Sequence, residues 1–180
     1  MTERKIAVFC SASAGIDDKF NEAAREVIHA LHSLGYTVVS GGTVKSTMKV
    51  IVDASAECGG KHVGVIPRFM APVLNPKLSE VIWTDTMSER KEKMREGTVG
   101  AIALPGGIGT LDEIIETLVL AKLDRYHGRL CCLNLDGFFD PFISLLDHYL
   151  ATGMLDAPSR ALLRFPTSVD ELISYYKNQY

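Results

Sequence analysis

The chain has 180 residues, 47% of them hydrophobic and 23% charged, with a formal net charge of -3. That length suits one domain with a real core, read here as a single domain over 1–180. The slight acidity gives no electrostatic reason to expect a nucleic acid polymer or an anionic membrane as partner, so any phosphate is held locally.

The four cysteines, Cys10, Cys58, Cys131 and Cys132, form no CxxC pair and have no histidine at metal-ligand spacing. No apolar run approaches the ~18 residues of a membrane span. The amino-terminal MTERKIAVFC reads as a lead into a first strand, not as a signal peptide. These features predict a cytoplasmic, reduced protein with no metal and no cofactor.

Short apolar runs alternate with amphipathic segments along the chain. KIAVFC (5–10) is followed by a helix opened by Asp17 and Asp18, with Phe20, Ala23, Ala24, Val27, Ile28, Leu31 and Leu34 on one face. Gly35 ends it. YTVVS (36–40) reads as a second strand entering the loop SGGTVKST, and a helix through Met48, Ile51, Val52 and Ala54 stops at Gly59 and Gly60. HVGVIP (62–67) is a third strand, residues 68–79 a loop, and EVIWTD (80–85) a fourth strand. A polar helix over 86–97 leads to a strongly apolar fifth strand, VGAIALP (99–105). The next helix is expected to bury Leu111, Ile114, Ile115, Leu118, Ala121 and Leu123. RLCCLNLDG (129–137) makes a sixth strand, 139–152 a helix, and VDELISYYKN (169–178) a last one. Continuously apolar strands alternating with helices predict an α/β, Rossmann-like, doubly wound parallel sheet.

Two stretches carry chemistry. LPGGIGTLDE (104–113) ends a buried strand with Gly106, Gly107 and Gly109 ahead of a helix. Glycines there let backbone N–H groups approach an anion, and the helix amino terminus adds partial positive charge. The same glycines also suit a plain tight turn. Thr110 and Glu113 fit a capping box, in which the carboxylate only closes the helix start, and local sequence favours that reading; the alternative is a first-turn carboxylate that faces the crevice for acid–base work or to hold a sugar hydroxyl. MSERK (87–91) begins the helix leaving the fourth strand, which sets Arg90 on the same sheet edge as Glu113. The competing reading is a solvated face laced by Glu89, Lys93, Glu92 and Glu96. The histidines have no paired Ser, Cys or metal-ligand neighbour in sequence and receive no catalytic role. No lysine is singled out for a pyridoxal Schiff base.

MSERK and PGGIGTLDE, in that order and at that separation, resemble the M-x-x-R-K and P-G-G-x-G-T-x-x-E signatures of the LOG family, the cytokinin riboside 5'-monophosphate phosphoribohydrolases. VFC at the first strand, GVIP (64–67) and the run NLDGFFDPFISLLDHYLATGML also match that family's layout. The resemblance implies a Rossmann-like homodimer that hydrolyses the N-glycosidic bond of a nucleoside 5'-monophosphate, with AMP or an N6-substituted analogue as substrate. It assigns Arg90 and Glu113 as the catalytic pair. It assigns Gly106, Gly107, Gly109 and Thr110 to the phosphate turn, and Met87, Lys91, Ser13, Gly41 and Gly42 to ligand contacts. It further implies that residues near Arg95 or Tyr126 complete a neighbouring subunit's site.

The chain departs from the family pattern in two loops. GGTVKSTMK (41–49) keeps Gly41, Gly42 and Met48 but carries Thr43, Ser46, Thr47 and Lys49 where G-G-G-x-x-G-L-M-G has Gly, Gly, Leu and Gly. CSAS carries Ser11 and Ala12 where C-G-S-S has Gly and Ser. Lys45-Ser46-Thr47 is no P-loop, because Val44 stands where that motif requires Gly. A noncatalytic nucleotide-binding protein with an altered 41–49 loop is therefore the alternative to a hydrolase.

Overall fold

The computed structural model describes residues 3–177; Met1, Thr2 and the final Asn178 of the last expected helix lie outside the described residues. Seven strands form one sheet: β1 (Arg4–Phe9), β2 (Tyr36–Ser40), β3 (His62–Pro67), β4 (Glu80–Thr84), β5 (Thr98–Ala103), β6 (Arg129–Cys132) and β7 (Leu163–Arg164). Their order is β4-β3-β2-β1-β5-β6-β7, and every pairing is parallel. The chain winds outward from β1 to β4 and then returns to lay β5 against the other side of β1. The carboxyl ends of β1 and β5 thus mark the switch point where an open sheet of this kind forms a crevice.

Helices cover both faces, which is why β2 and β3 are buried along their whole length. α1 (Asp18–Ser33), α2 (Ser46–Glu57) and α7 (Val169–Lys177) pack on one face, while α3 (Met87–Arg95), α4 (Ile108–Lys122) and α5 (Asp140–Ala151) pack on the other. A short α6 (Ala157–Ala161) precedes β7. The helix starts are chemically marked. Asp17 accepts a hydrogen bond from the Lys19 N–H at 3.1 Å to open α1, and Thr86 and Glu89 form a reciprocal capping box at the start of α3.

Differences from the sequence reading are local. The expected loop at 68–79 begins with a 3-10 turn, Arg68–Val73. β6 stops at Cys132, and the expected remainder of that strand contains a second 3-10 turn, Leu135–Gly137, in which Asp136 adopts a left-handed φ of 51°. β7 has two residues, too few to show a period in sequence. On α4, Ile114 and Leu118 are buried as expected, whereas Ile115 and Leu123 lie on the outer face with Ile108 and Val119. The stripe 108, 115, 119, 123 is a second apolar row at helical spacing, turned away from the sheet. Cys10 is buried one residue beyond β1, Cys131 and Cys132 are buried in β6, and Cys58 is exposed; all four are free thiols.

Tyr176 fastens the last helix to the sheet. Its hydroxyl donates toward the carbonyls of Arg129 (3.0 Å) and Ala101 (3.2 Å), and its ring occupies the space that a Cβ on Gly100 would need. Tyr176→Phe leaves those carbonyls without this donor and is expected to cost about 1–2 kcal/mol, or several degrees of Tm for a chain of this size. A thermal melt unchanged within a degree would show that the hydroxyl contributes nothing to α7 docking.

Candidate active site

The crevice is built from the ends of β1, β2, β3 and β5. Arg90, in the first turns of α3, points inward and is only 5% exposed. Its Nε donates to the Val65 carbonyl and its Nη2 to the Gly41 carbonyl, each at 2.9 Å. A Cβ on Gly41 would lie 2.0 Å from that same Nη2, so the close approach of guanidinium to backbone requires glycine there. Gly42 has a φ of +66°, and a Cβ on it would meet the backbone of Gly64 at 2.8 Å. Two guanidinium donors are committed to carbonyls, which leaves the remainder of the fork for a ligand. The solvated-face reading of α3 is therefore incorrect: Arg90, Met94 and Arg95 are all buried.

Glu113 approaches from the opposite wall. α4 starts at Ile108 with Gly107 as its cap residue and no side-chain cap, so the capping box read at Thr110 and Glu113 does not form. Thr110 sits inside the first turn and Glu113 one turn further on. Among the described residues the Glu113 carboxylate takes no hydrogen bond and makes no direct ion pair; it faces Arg90 and Cys10 electrostatically. Burial pushes its pKa up to about 7, and the Arg90 charge opposes that rise. Burial likewise pushes the Cys10 thiol up, so Cys10 is a neutral wall of the site and not a thiolate.

The glycine turn carries an unmet hydrogen-bonding demand. Thr110 is 3% exposed, and its Oγ1 is buried with no partner. Helix geometry also leaves the first backbone N–H groups of α4 without intrahelical acceptors. Gly106 packs so closely that a Cβ would lie 2.2 Å from Thr110 Oγ1 and 3.1 Å from the Ser11 nitrogen. A small hollow of about 180 Å³ opens beside the turn, lined by Ser11, Ser13, Phe20, Gly106, Gly107 and Phe138. An anion placed there would lie against Gly106 and Gly107 at a helix amino terminus.

The remaining assigned residues separate. Gly41 and Gly42 lie under Arg90, and Ser13 borders the small hollow. Met87 is 44% exposed at the mouth of α3. Lys91 turns away toward α4, where its Nζ pairs with Asp112 at 2.9 Å and also with Glu116; Arg95 reaches Glu116 at 2.8 Å. This cluster clips together the two helices that carry Arg90 and Glu113. In the changed loop, Ser46 holds a left-handed φ of 45°, the conformation for which Gly is favoured. Thr43 is buried and directs both its N–H and its hydroxyl at Met48 Sδ. Lys45 is exposed, and Lys49 pairs with Asp53.

A larger hollow, about 880 Å³, lies elsewhere, between α3, α4 and the approach to β6, and includes Arg95, Glu116, Tyr126 and His127. The site is assigned to the crevice on chemistry, because there the buried donors and the carboxylate converge. Sequence reasoning missed Cys10, Thr43 and the carbonyls of Gly41 and Val65, none of which has a sequence signature. It also left His62 without a partner, whereas the folded chain pairs His62 with both Ser40 and Ser55. Among the described residues no group of three or more His, Cys, Asp or Glu side chains is placed to hold a metal ion, and no helix is long and apolar enough to cross a membrane.

A parallel sheet with a glycine turn at a helix start, and with Arg90 facing Glu113 at its switch point, outlines a candidate ligand crevice. Comparison with known proteins gives the family. Residues 48–176 match the family described as possible lysine decarboxylase. The chain is 32% identical over 173 residues to the cytokinin riboside 5'-monophosphate phosphoribohydrolase LOG2 of Arabidopsis thaliana, covering 94% of this chain and 81% of that protein. It is 34% identical over 173 residues to the corresponding LOG protein of Oryza sativa subsp. japonica, covering 94% and 71%. The chain belongs to this LOG family. Among solved structures, the molybdenum cofactor carrier protein of Chlamydomonas reinhardtii has a TM-score of 0.75 at 18% identity, covering 98% of this chain and 97% of that one. The molybdenum cofactor binding protein of Rippkaea orientalis has a TM-score of 0.75 at 19% identity, with the same coverage. At those identities the likeness establishes the fold.

The raised pKa of Glu113 also bears on stability. An acid protonated more readily in the folded than in the unfolded chain makes stability fall as pH rises from its ordinary value of 4.5 to about 7. Glu113→Gln removes that penalty. The variant is expected to gain roughly 2–3 kcal/mol over the parent at pH 8, discounted for partial solvation, and little at pH 4.5. Equal melting temperatures at pH 8 would show that Glu113 is not desolvated.

Proposed function

We propose that this protein is a cytoplasmic phosphoribohydrolase that cleaves the N-glycosidic bond of a nucleoside 5'-monophosphate, AMP or an N6-substituted analogue, to give the free base and ribose 5-phosphate. The observation that carries this reading is the unpaired, half-buried Glu113 carboxylate facing a carbonyl-clamped Arg90, beside the orphaned Thr110 hydroxyl. The relatives' names supply the reaction class.

The proposed chemistry follows from the placement. Gly106, Gly107, Gly109 and Thr110 bind the 5'-phosphate, and that remote binding energy fixes the ribose between Arg90 and Glu113. Ser13, Gly41, Gly42 and Met87 line the rest of the nucleotide, while Lys91 acts from behind by holding α4 to α3. The bond from C1′ to the base nitrogen breaks with its electron pair leaving on the base, through an oxocarbenium-like state. Water adds to C1′, Glu113 as carboxylate takes the proton that water loses, and the base gains one proton overall. A group with a pKa near 7 suits that exchange at neutral pH. Arg90 orients the substrate and limits the rise in the Glu113 pKa.

The exposed row Ile108, Ile115, Val119 and Leu123 on α4 supports a second copy of the chain as partner, giving a homodimer in which Arg95 or Tyr126 borders the neighbouring site. The noncatalytic alternative draws on Ser46 and Thr43, which alter the loop beside Gly41 and Gly42.

The test is chromatography of reactions with AMP and with isopentenyladenosine 5'-monophosphate, run with Glu113→Gln alongside. The expected outcome is free base from the parent and a rate lower by ~10²-fold or more for the variant, with both folded. For the parent, kcat/KM should rise with pH to a half-maximum near 7 as Glu113 ionises in the free enzyme. Nucleotide that protects the protein against heat yet is never cleaved would establish the binding protein instead. Gly106→Ala should raise KM for the nucleotide far more than it raises KM for the corresponding nucleoside, since its Cβ crowds Thr110 and the phosphate turn.

A further inference from the structure

Behind the crevice wall runs a buried chain of hydrogen bonds between side chains that the proposed reaction does not touch. Ser40 Oγ lies 2.7 Å from His62 Nε2, and His62 Nδ1 lies 2.8 Å from Ser55 Oγ. Ser55 Oγ lies 2.8 Å from His32 Nε2, and His32 Nδ1 lies 3.0 Å from the Tyr36 carbonyl. At the other end the Gly42 N–H donates to Ser40 Oγ at 3.2 Å. Ser40, Ser55 and His62 are each at most 1% exposed. The half-buried His32 ring lies where a Cβ on Gly60 would come within 2.3 Å, so glycine makes room for it.

The Tyr36 end fixes the direction of the protons along the chain. A backbone N–H can only donate and a carbonyl can only accept. With both imidazoles neutral, His32 Nδ1–H donates to Tyr36, the Ser55 hydroxyl donates to His32 Nε2, and His62 Nδ1–H donates to Ser55. The Ser40 hydroxyl then donates to His62 Nε2, and Ser40 Oγ accepts from Gly42 through a lone pair. A second proton on His32 turns the Ser55 hydroxyl to the Ile51 carbonyl, 2.9 Å away, and leaves the half from His62 to Gly42 unchanged. For His62, burial holds the pKa down to about 3 and outweighs the support that the Ile51 backbone gives the charged form.

The Gly42 N–H belongs to the same planar peptide unit as the Gly41 carbonyl. Pinning the N–H on Ser40 therefore aims the carbonyl, on the other edge of that plane, at Arg90 Nη2. Glycines at 41 and 42 bring no side chain of their own to fix the orientation of this peptide. We infer that His62 and Ser40, backed by Ser55 and His32, are positioning residues that orient the Gly41–Gly42 peptide and through it the Arg90 guanidinium over Glu113. The inference deepens the proposed reaction and rests on that reading for its catalytic consequence, although the geometry it asserts is a property of the resting protein.

The experiment is nuclear magnetic resonance on the parent, Ser40→Ala and Ser55→Ala. Long-range proton–nitrogen spectra of the parent should show His62 neutral with its proton on Nδ1 from pH 5 to 8. A carbon-13 carboxyl titration should show the Glu113 midpoint rising by ~0.5 pH unit or more in Ser40→Ala, and by less in Ser55→Ala, because Arg90 lowers that midpoint. The other charges facing Glu113, from Asp112, Lys91 and Arg95, and the neutral Cys10 are untouched by these substitutions. Where turnover is measured, Ser40→Ala should lower kcat ~10-fold while KM changes less than twofold. A His62 proton on Nε2 would overturn the inference, as would a Glu113 midpoint within 0.1 unit of the parent in a folded Ser40→Ala. If Ser40→Ala does not fold, the parent's tautomer and the Ser55→Ala midpoint decide. Absence of turnover would sink the proposed reaction and leave the tautomer and midpoint as independent tests.

Discussion

A cation buried against two backbone carbonyls is the constraint on which the rest of this site depends. Taking the Arg90 guanidinium out of water costs several kcal/mol unless its donors and charge are met. The carbonyls of Gly41 and Val65 meet two donors, and Glu113 meets part of the charge across the crevice. Those carbonyls come from the ends of β2 and β3. The arrangement therefore exists only because the parallel sheet brings neighbouring strand ends to one edge, and because glycine at 41 admits the guanidinium.

The same economy of groups explains Glu113. A carboxylate hydrogen-bonded to its own helix would be held well ionised and inert; one left without a direct partner in a buried wall titrates near neutrality. Helix α4 achieves this by starting at Ile108 behind a Gly107 cap, three residues ahead of where the Thr110 capping motif would have begun it. The first turn is thereby left with donors and a Thr110 hydroxyl unmet, and the carboxylate is carried round to face α3. Lys91, Asp112, Glu116 and Arg95 then lock the two helices in register on the far side, so the facing pair does not depend on loops for its spacing.

Much of this was legible in sequence. The alternation of buried strands and amphipathic helices set the α/β class, and the motifs around Arg90 and Glu113 set the sheet edge, since strand-end loops share one edge in a parallel sheet. What was illegible depends on distance in three dimensions. Thr110 and Glu113 satisfy a capping box on paper, and the start of α4 decides otherwise. The polar run around Arg90 reads as a solvated surface until α3 is seen to pack inward. His62 appears isolated because Ser40 and Ser55 reach it from a neighbouring strand and from α2. The outer row on α4 escaped notice because a helix with two apolar stripes gives no periodic clue to which faces the sheet. By contrast, Ser46 is understood from structure: the left-handed backbone there is the reason a glycine is expected, and the chain adopts it without one.

The account stands most directly on where a nucleotide sits. The measurement is a crystal structure of Glu113→Gln with AMP bound, a variant that should hold substrate uncleaved. The account predicts the phosphate at the α4 amino terminus within hydrogen-bond distance of Thr110 Oγ1, and C1′ between Arg90 and residue 113. Nucleotide bound instead in the large hollow between α3 and α4, or with its phosphate remote from Gly106 and Thr110, would contradict it.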